Sequence, residues 1–181
     1  MRKIVTGLFM SLDGVVESPA SWAGPYFNDE LFEWIGAGLP QADAILLGRR
    51  TYLEFAEIWP SQGSSTPMGA FLNNTTKYVV SSTLQTLDWG PASLVRRDLA
   101  EGLRDLKQQP GKNIQIPGSP TLVRSLLNDG LLDELALGIV PIVVGSGMRL
   151  FEEISEQVSF ELVESRGLST GVLALTYRPA R

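Results

Sequence analysis

The sequence predicts an α/β fold, three layers deep, with a mostly parallel central sheet, helices on both faces and an antiparallel hairpin at the C-terminus. Three observations predict it. Short apolar, strand-like runs recur at 3–10, 42–47, 77–80 and 113–116, and stretches of helical periodicity lie between several of them. The runs at 42–47, 77–80 and 113–116 give way to glycine or small hydroxyl residues, as strands do where they leave a sheet edge. Finally, two alternating stretches, 157–164 and 171–178, close the chain with no helical pattern between them.

Taken in order, 3–10 is the first strand, and Ser11-Leu12-Asp13-Gly14 turns the chain. Residues 17–25 look irregular. Residues 27–39 place Phe27, Leu31, Trp34 and Ile35 on one helical stripe, with Asn28 or Asp29 as the cap. The run 42–47 (ADAILL) is a short buried strand stopped at Gly48, and 49–58 is the second helix. Residues 60–69 (PSQGSSTPMG) are low in charge, rich in turn formers, and read as a surface loop. The strand 77–80 ends in Ser81-Ser82-Thr83. Residues 98–108 form a helix with Asp98 and Glu101 as a capping box, a stripe of Leu99, Leu103 and Leu106, and Gly111 just past its end. After the strand 113–116, Ser119-Pro120 opens a helix carrying Leu122, Val123, Leu126 and Leu127, which Gly130 terminates. Residues 135–144 are a buried β-rich run broken by Pro141, and the last two stretches pair as a hairpin.

The chain has 181 residues, 15 Lys and Arg against 20 Asp and Glu, no histidine and no cysteine. That length suits a single domain over 1–181 with a sizeable core. Without cysteine there is no disulfide, thiolate nucleophile or cysteine-based metal site; without histidine there is no Ser-His-Asp triad or imidazole acid–base group. No metal site is expected. Acid–base chemistry falls to Asp, Glu, Lys, Tyr or water, unless a cofactor carries the hard step. A net charge of −5 and a pI near 4.8 disfavour nucleic acid and anionic membranes as partners. The longest apolar stretch, 136–145, is about half a bilayer span, and a cytoplasmic protein is the default expectation.

The chemistry concentrates at three strand ends: Gly48-Arg49-Arg50-Thr51, Ser81-Ser82-Thr83 and Ile116-Pro117-Gly118-Ser119-Pro120-Thr121. In a parallel sheet the carboxyl ends of strands share one edge, where open α/β proteins bind ligands. Gly118 lets backbone approach a ligand, Ser119 suits an N-cap, Pro120 suits the first helical position, and the helix start favours a phosphate. The plainer reading is that Gly-Ser-Pro only starts a helix. Arg49 and Arg50 can hold a phosphate through paired charge-assisted bonds, or can simply be solvated on a first turn. Two separate anion sites fit a ligand with two phosphate groups such as NADPH, whose 2′-phosphate calls for arginine. Neither G-x-G-x-x-G nor the P-loop pattern is present, which leaves phosphoryl transfer without its usual parts.

These segments, in order, resemble the dihydrofolate-reductase-like superfamily, in the branch containing the reductase domain of bacterial riboflavin biosynthesis. The matching stretches are Ser11 to Gly14, DAILLGRRTY from Asp43, KYVVSSTL from Lys77, IPGSPTLVRSLL from Ile116, LLDEL from Leu131 and PIVVGSGMRLF from Pro141. The resemblance implies a three-layer dihydrofolate-reductase-like fold and an NADPH-dependent reductase. Hydride would pass to a pterin-like or ribosylaminopyrimidine substrate, as in 5-amino-6-(5-phosphoribosylamino)uracil reductase or dihydrofolate reductase; the alternative is a nucleotide-binding protein of this fold without turnover. By position, Arg49, Arg50, Ser81 and Ser82 resemble the family's 2′-phosphate contacts. Gly48, Thr51, Ile116, Gly118, Ser119, Thr121 and Leu122 resemble the contacts on the pyrophosphate side. For the proton, the resemblance points to Asp13 beside the nicotinamide, whose plainer role is turn formation, and to Glu33 or Glu30 on the first helix, where Phe32 competes for the position. Pro117 replaces a glycine common in the family and removes one N–H donor. Trp22 is the aromatic best placed to cover a substrate pocket, and the family implies a homodimer.

Overall fold

In the computed structural model, residues 1–96 and 99–180 are described. One eight-stranded sheet runs in the order β4-β3-β2-β5-β1-β6-β8-β7, with β1 Ile4–Ser11, β2 Ala42–Gly48, β3 Thr76–Val80, β4 Ala92–Val95, β5 Asn113–Ile116, β6 Glu134–Val140, β7 Phe160–Gly167 and β8 Leu173–Pro179. The pairings from β4 through β6 are all parallel, and β8 is antiparallel to both β6 and β7. The last two strands do form a hairpin, but the chain leaves β6 for the outer edge first and returns between β6 and β7.

Alternation along the strands divides the core. Ile4 and Leu8 of β1, Leu46 of β2 and Ile114 and Ile116 of β5 point to one face. There they meet Leu103 and Leu106 of α4 (Leu99–Gln108) and Leu122, Val123, Leu126 and Leu127 of α5 (Pro120–Asn128). On the other face, Leu31, Trp34 and Ile35 of α1 (Asp29–Ala37) cover Phe9, Val140 and Ala174. Beside them, α2 (Arg49–Gln62) and α3 (Pro67–Asn74) bury Tyr52, Leu72 and Trp89 against Ile45, Leu47 and Val79. The three layers are therefore as expected, and Asn28 is the cap of α1, its side chain accepting from the Leu31 N–H at 2.9 Å.

Local expectations need correcting in four places. Residues 60–69 are not one loop: α2 continues through Pro60 to Gln62, and α3 begins at Pro67. Thr66 caps α3 by accepting from Gly69 N–H at 3.0 Å, a Thr-Pro helix start hidden among turn-forming residues. Gly69 is needed for close approach, because a Cβ there would stand 2.8 Å from the Gly63 carbonyl oxygen. The strand β4 has no counterpart in the sequence reading; it lies at the sheet edge with no fully buried residue, so its sequence carries no apolar alternation. Gly111 lies beyond the end of α4 at Gln108 and serves packing instead, since a Cβ there would meet Asp43 Oδ2 at 2.8 Å. Ser119 precedes α5 in a left-handed conformation (φ 56°) and does not cap it with its side chain. The Asp98 half of the expected capping box lies outside the described residues.

One buried cation stands out in this framework. Lys77, fully buried on β3, places Nζ 3.1 Å from the Thr75 carbonyl and 4.3 Å from the Trp89 ring centroid, with the Asn73 and Gly90 carbonyls at 3.5 Å. No carboxylate pairs with it among the described residues. Burial pushes its pKa down to about 8.

Candidate active site at the carboxyl edge of the sheet

Parallel pairing brings the ends of β2, β3, β4 and β5 to one edge, so the three segments singled out in the sequence do converge there. Beyond β2, β3 and β4 lies a pocket of about 450 Å³ lined by Arg49, Val80, Ser81, Ser82, Thr83, Val95 and Arg96. Arg49 and Arg96 make no ion pair among the described residues, so two uncompensated guanidinium groups share a pocket with three hydroxyls. Ser81 Oγ accepts from the N–H groups of Thr83 (3.2 Å) and Leu84 (3.0 Å), which folds the turn and leaves its own O–H to donate. Arg96 was not singled out in the sequence; it follows the strand that was itself missed.

Arg50 is placed differently from Arg49. Its guanidinium reaches Glu54 and Glu17, each at 3.1 Å, and these hydrogen bonds raise its pKa further. It does not line the pocket that Arg49 enters. The carboxylates that engage it are one turn along α2 and in the loop after β1.

The second anion-suited feature is the start of α5. Gly118 has φ +119°, and a Cβ there would stand 3.2 Å from Thr51 Cγ2, so the turn and the first turn of α2 touch. Ser119 Oγ accepts from Gly48 N–H at 2.9 Å, tying the ends of β2 and β5 together. That bond uses the Gly48 donor and draws the Ser119 side chain away from capping. The first helical hydrogen bond is Val123 N–H to the Ser119 carbonyl, which leaves the N–H groups of Thr121 and Leu122 unbonded among the described residues. The side chains of Ile116 and Leu122 are buried in the α4/α5 core, so these two present only backbone to the edge. Thr121 is exposed, 3.8 Å from Met148 Sδ through its hydroxyl.

The candidate acids are all occupied or remote. Asp13 accepts from Ser11 Oγ (2.7 Å), Val144 N–H (3.0 Å) and Gly145 N–H (2.8 Å), and these bonds hold its carboxyl down at about 2. It is ionised at neutral pH and has no proton to give; what it does is pin the loop after β1 to the loop after β6. Glu30 accepts from the Ser169 N–H and hydroxyl, both at 2.8 Å, and from Arg166 at 3.2 Å, which lowers its pKa and docks α1 on the β7–β8 turn. Glu33 is exposed on α1, as is its neighbour Phe32. Trp22 is half-buried beside the α1 cluster and donates its indole N–H to the Glu17 carbonyl at 2.9 Å. Among the described residues no group of three or more Asp or Glu is placed to hold a metal ion, and no helix is long and apolar enough to cross a membrane.

The architecture is that of the dihydrofolate-reductase-like fold. The fold is shared with dihydrofolate reductase from Enterococcus faecalis, solved in complex with NADP(H) (17% identity, 99% of this chain and 97% of that one, TM-score 0.64). It is shared more closely with a Shewanella sp. PV-4 candidate riboflavin biosynthesis protein (23% identity, all of both chains, TM-score 0.80). Acinetobacter baumannii RibD contains the same fold in 59% of its length (16% identity, TM-score 0.65). A family model narrows the class: it matches residues 2–174, and the chain belongs to the RibD C-terminal domain family. Among curated relatives it is 28% identical to the uncharacterized protein YyaP of Bacillus subtilis strain 168, over 97% of this chain and 94% of that one. It is 26% identical to YwjB of the same organism, also uncharacterized, over 89% of each.

Proposed function

We propose that the protein is a cytoplasmic, homodimeric, single-domain NADPH-dependent reductase acting on a small heterocyclic substrate of the riboflavin-pathway type. One observation carries this reading: an arginine–serine pocket and a bare helix start lie along one sheet edge, two anion sites matching the two separated phosphate groups of NADPH. In this reading Arg49, Arg96, Ser81 and Ser82 hold the 2′-phosphate. The N–H groups of Thr121 and Leu122, with Gly118 giving close approach, receive the pyrophosphate, and Gly48, Thr51 and Ser119 build the wall between the two sites. When bound, the cofactor supplies the hydride. The chain's part is to position cofactor and substrate. Asp13 fixes the loop above the edge, and solvent water delivers the proton.

The residues present fit such a ligand by charge: the 2′-phosphate pocket has arginines and, among the described residues, no lining carboxylate, where an NAD site more often places an acid. Titration of NADPH and NADH by quenching of tryptophan fluorescence tests the reading. Wild type is expected to prefer NADPH, and Arg49→Ala and Arg96→Ala each to weaken NADPH about tenfold while leaving NADH unchanged. Equal affinity for the two nucleotides in wild type would overturn it. The ionised state of Asp13 favours one second reading, a nucleotide-binding protein without turnover; oxidation of NADPH in the presence of a ribosylaminopyrimidine or pterin excludes that reading.

A further inference from the structure

The face of the sheet that α1, α2 and α3 cover is not covered throughout. By alternation from Phe9, the residues Val5 and Gly7 of β1 point to this face, as do their register partners Gln115 of β5 and Ala136 of β6, followed by Thr176 of β8. All five are half-buried, and none belongs to a core cluster on either face. They form a strip across the middle strands with α1 packed toward their carboxyl ends and α2 and α3 over β2 and β3. The strip is floored by small side chains, and at Gly7 by backbone alone.

The strip carries one amide side chain, Gln115. Gln115 sits between Val5 and Ile45 in the row across the sheet, and its Nε2 lies 3.7 Å from where a Cβ on Gly7 would stand. The carboxamide makes no hydrogen bond to protein among the described residues. Its amide atoms are not among the buried unpartnered ones, so the carboxamide faces solvent over the strip and offers a donor and an acceptor side by side to a ligand there. Gln115 is also three residues before Gly118, so the strip opens onto the edge that carries the anion sites.

We propose that this strip is the floor for the substrate's ring and that Gln115 is its specificity-determining residue, pairing with an amide (lactam) edge of a planar heterocycle lying over Gly7. The inference rests on the proposed function for the nature of the substrate, but it assigns a site and a reading group that stand or fall separately. A ring over Gly7 rests on backbone, and each of the two hydrogen bonds from Gln115 meets a complementary atom in the ring plane.

The test is calorimetric titration of 5-aminouracil and of 1,3-dimethyluracil, which lacks the ring N–H groups, into free protein and into protein saturated with NADPH. Wild type is expected to bind 5-aminouracil at least tenfold more tightly than the dimethyl compound. Gln115→Leu is expected to erase that difference and Gln115→Asn, with its amide withdrawn by one methylene, to reduce it, both with unchanged NADPH affinity. Equal binding of the two compounds to wild type, no binding of either, or an unaltered preference in Gln115→Leu would overturn the assignment. Failure of NADPH to bind while Gln115 still governs 5-aminouracil would overturn the reductase reading and leave the ring site standing.

Discussion

Lys77 offers a direct physical test of the fold. It is a cation with no accessible surface, held by carbonyl groups and the Trp89 face, and burial lowers its pKa from 10.5 to about 8. In the unfolded chain Lys77 keeps its ordinary affinity for protons, so between pH 8 and 10.5 the unfolded state binds the proton and the folded state does not. Stability attributable to this group therefore rises with pH through that window, is fully gained above it, and is pH-independent below it, where both states are charged. The displacement corresponds to about 3 kcal/mol over the whole window. Lys77→Met keeps the volume and removes the titration. Urea unfolding of both proteins at half-unit intervals from pH 7 to 10 isolates the group as a difference, since every other titrating residue is common to the two. Wild type is expected to gain about 2 kcal/mol relative to the variant by pH 10, with a slope approaching 1.4 kcal/mol per pH unit. Parallel stability curves would show that Lys77 is solvated in solution and that the reasoning from burial is wrong.

Three further outcomes follow from named contacts. Gly118→Val forces a β-branched side chain onto φ +119° and against Thr51 Cγ2; a loss of about 1–3 kcal/mol in urea unfolding and weaker NADPH binding are expected. Asp13→Asn removes a carboxylate held at about 2, whose contribution to stability is present above its usual pKa of 3.8 and is lost as pH falls through the folded value. Acid unfolding of wild type should accordingly show a component between pH 4 and 2 that the variant lacks, and any residual turnover at neutral pH should persist because Asp13 donates no proton. Ile114→Ala, in a fully buried position under α4 and α5, is expected to cost about 3 kcal/mol by thermal or urea unfolding.

What could be read from the sequence was what periodicity and strand ends record. The four parallel strands with apolar runs, the terminal hairpin and the helices with a clear leucine stripe were legible because each buries one face and so repeats. The helix after Thr66 and the strand at Ala92–Val95 were not, the first because its capping residues also spell a turn, the second because an edge strand with no fully buried residue has no apolar alternation. The loss of β4 had a functional cost: Arg96 enters the anion pocket only because β4 pairs with β3, Val80 standing opposite Val95.

Side-chain assignment at the site fails for a different reason. Arg49 and Arg50 are adjacent and chemically identical; what separates them is Glu54, one turn along α2 from Arg50 where Arg49 has Leu53, and Glu17, more than thirty positions away, which meets Arg50 only once the loop after β1 is in place. The same loop depends on Asp13, whose carboxylate reaches Val144 and Gly145 across the sheet edge, and on Glu17 Oε2, which accepts from Met148 N–H at 3.2 Å. Glu54 by helical spacing and Glu17 by tertiary pairing therefore engage Arg50 and leave Arg49 free to face an anion. An uncompensated guanidinium beside hydroxyls is a binding group, whereas one shared between two carboxylates has already met its anions. That asymmetry is why Arg49 and Arg96, rather than the Arg49–Arg50 pair, are the residues on which cofactor preference is expected to turn.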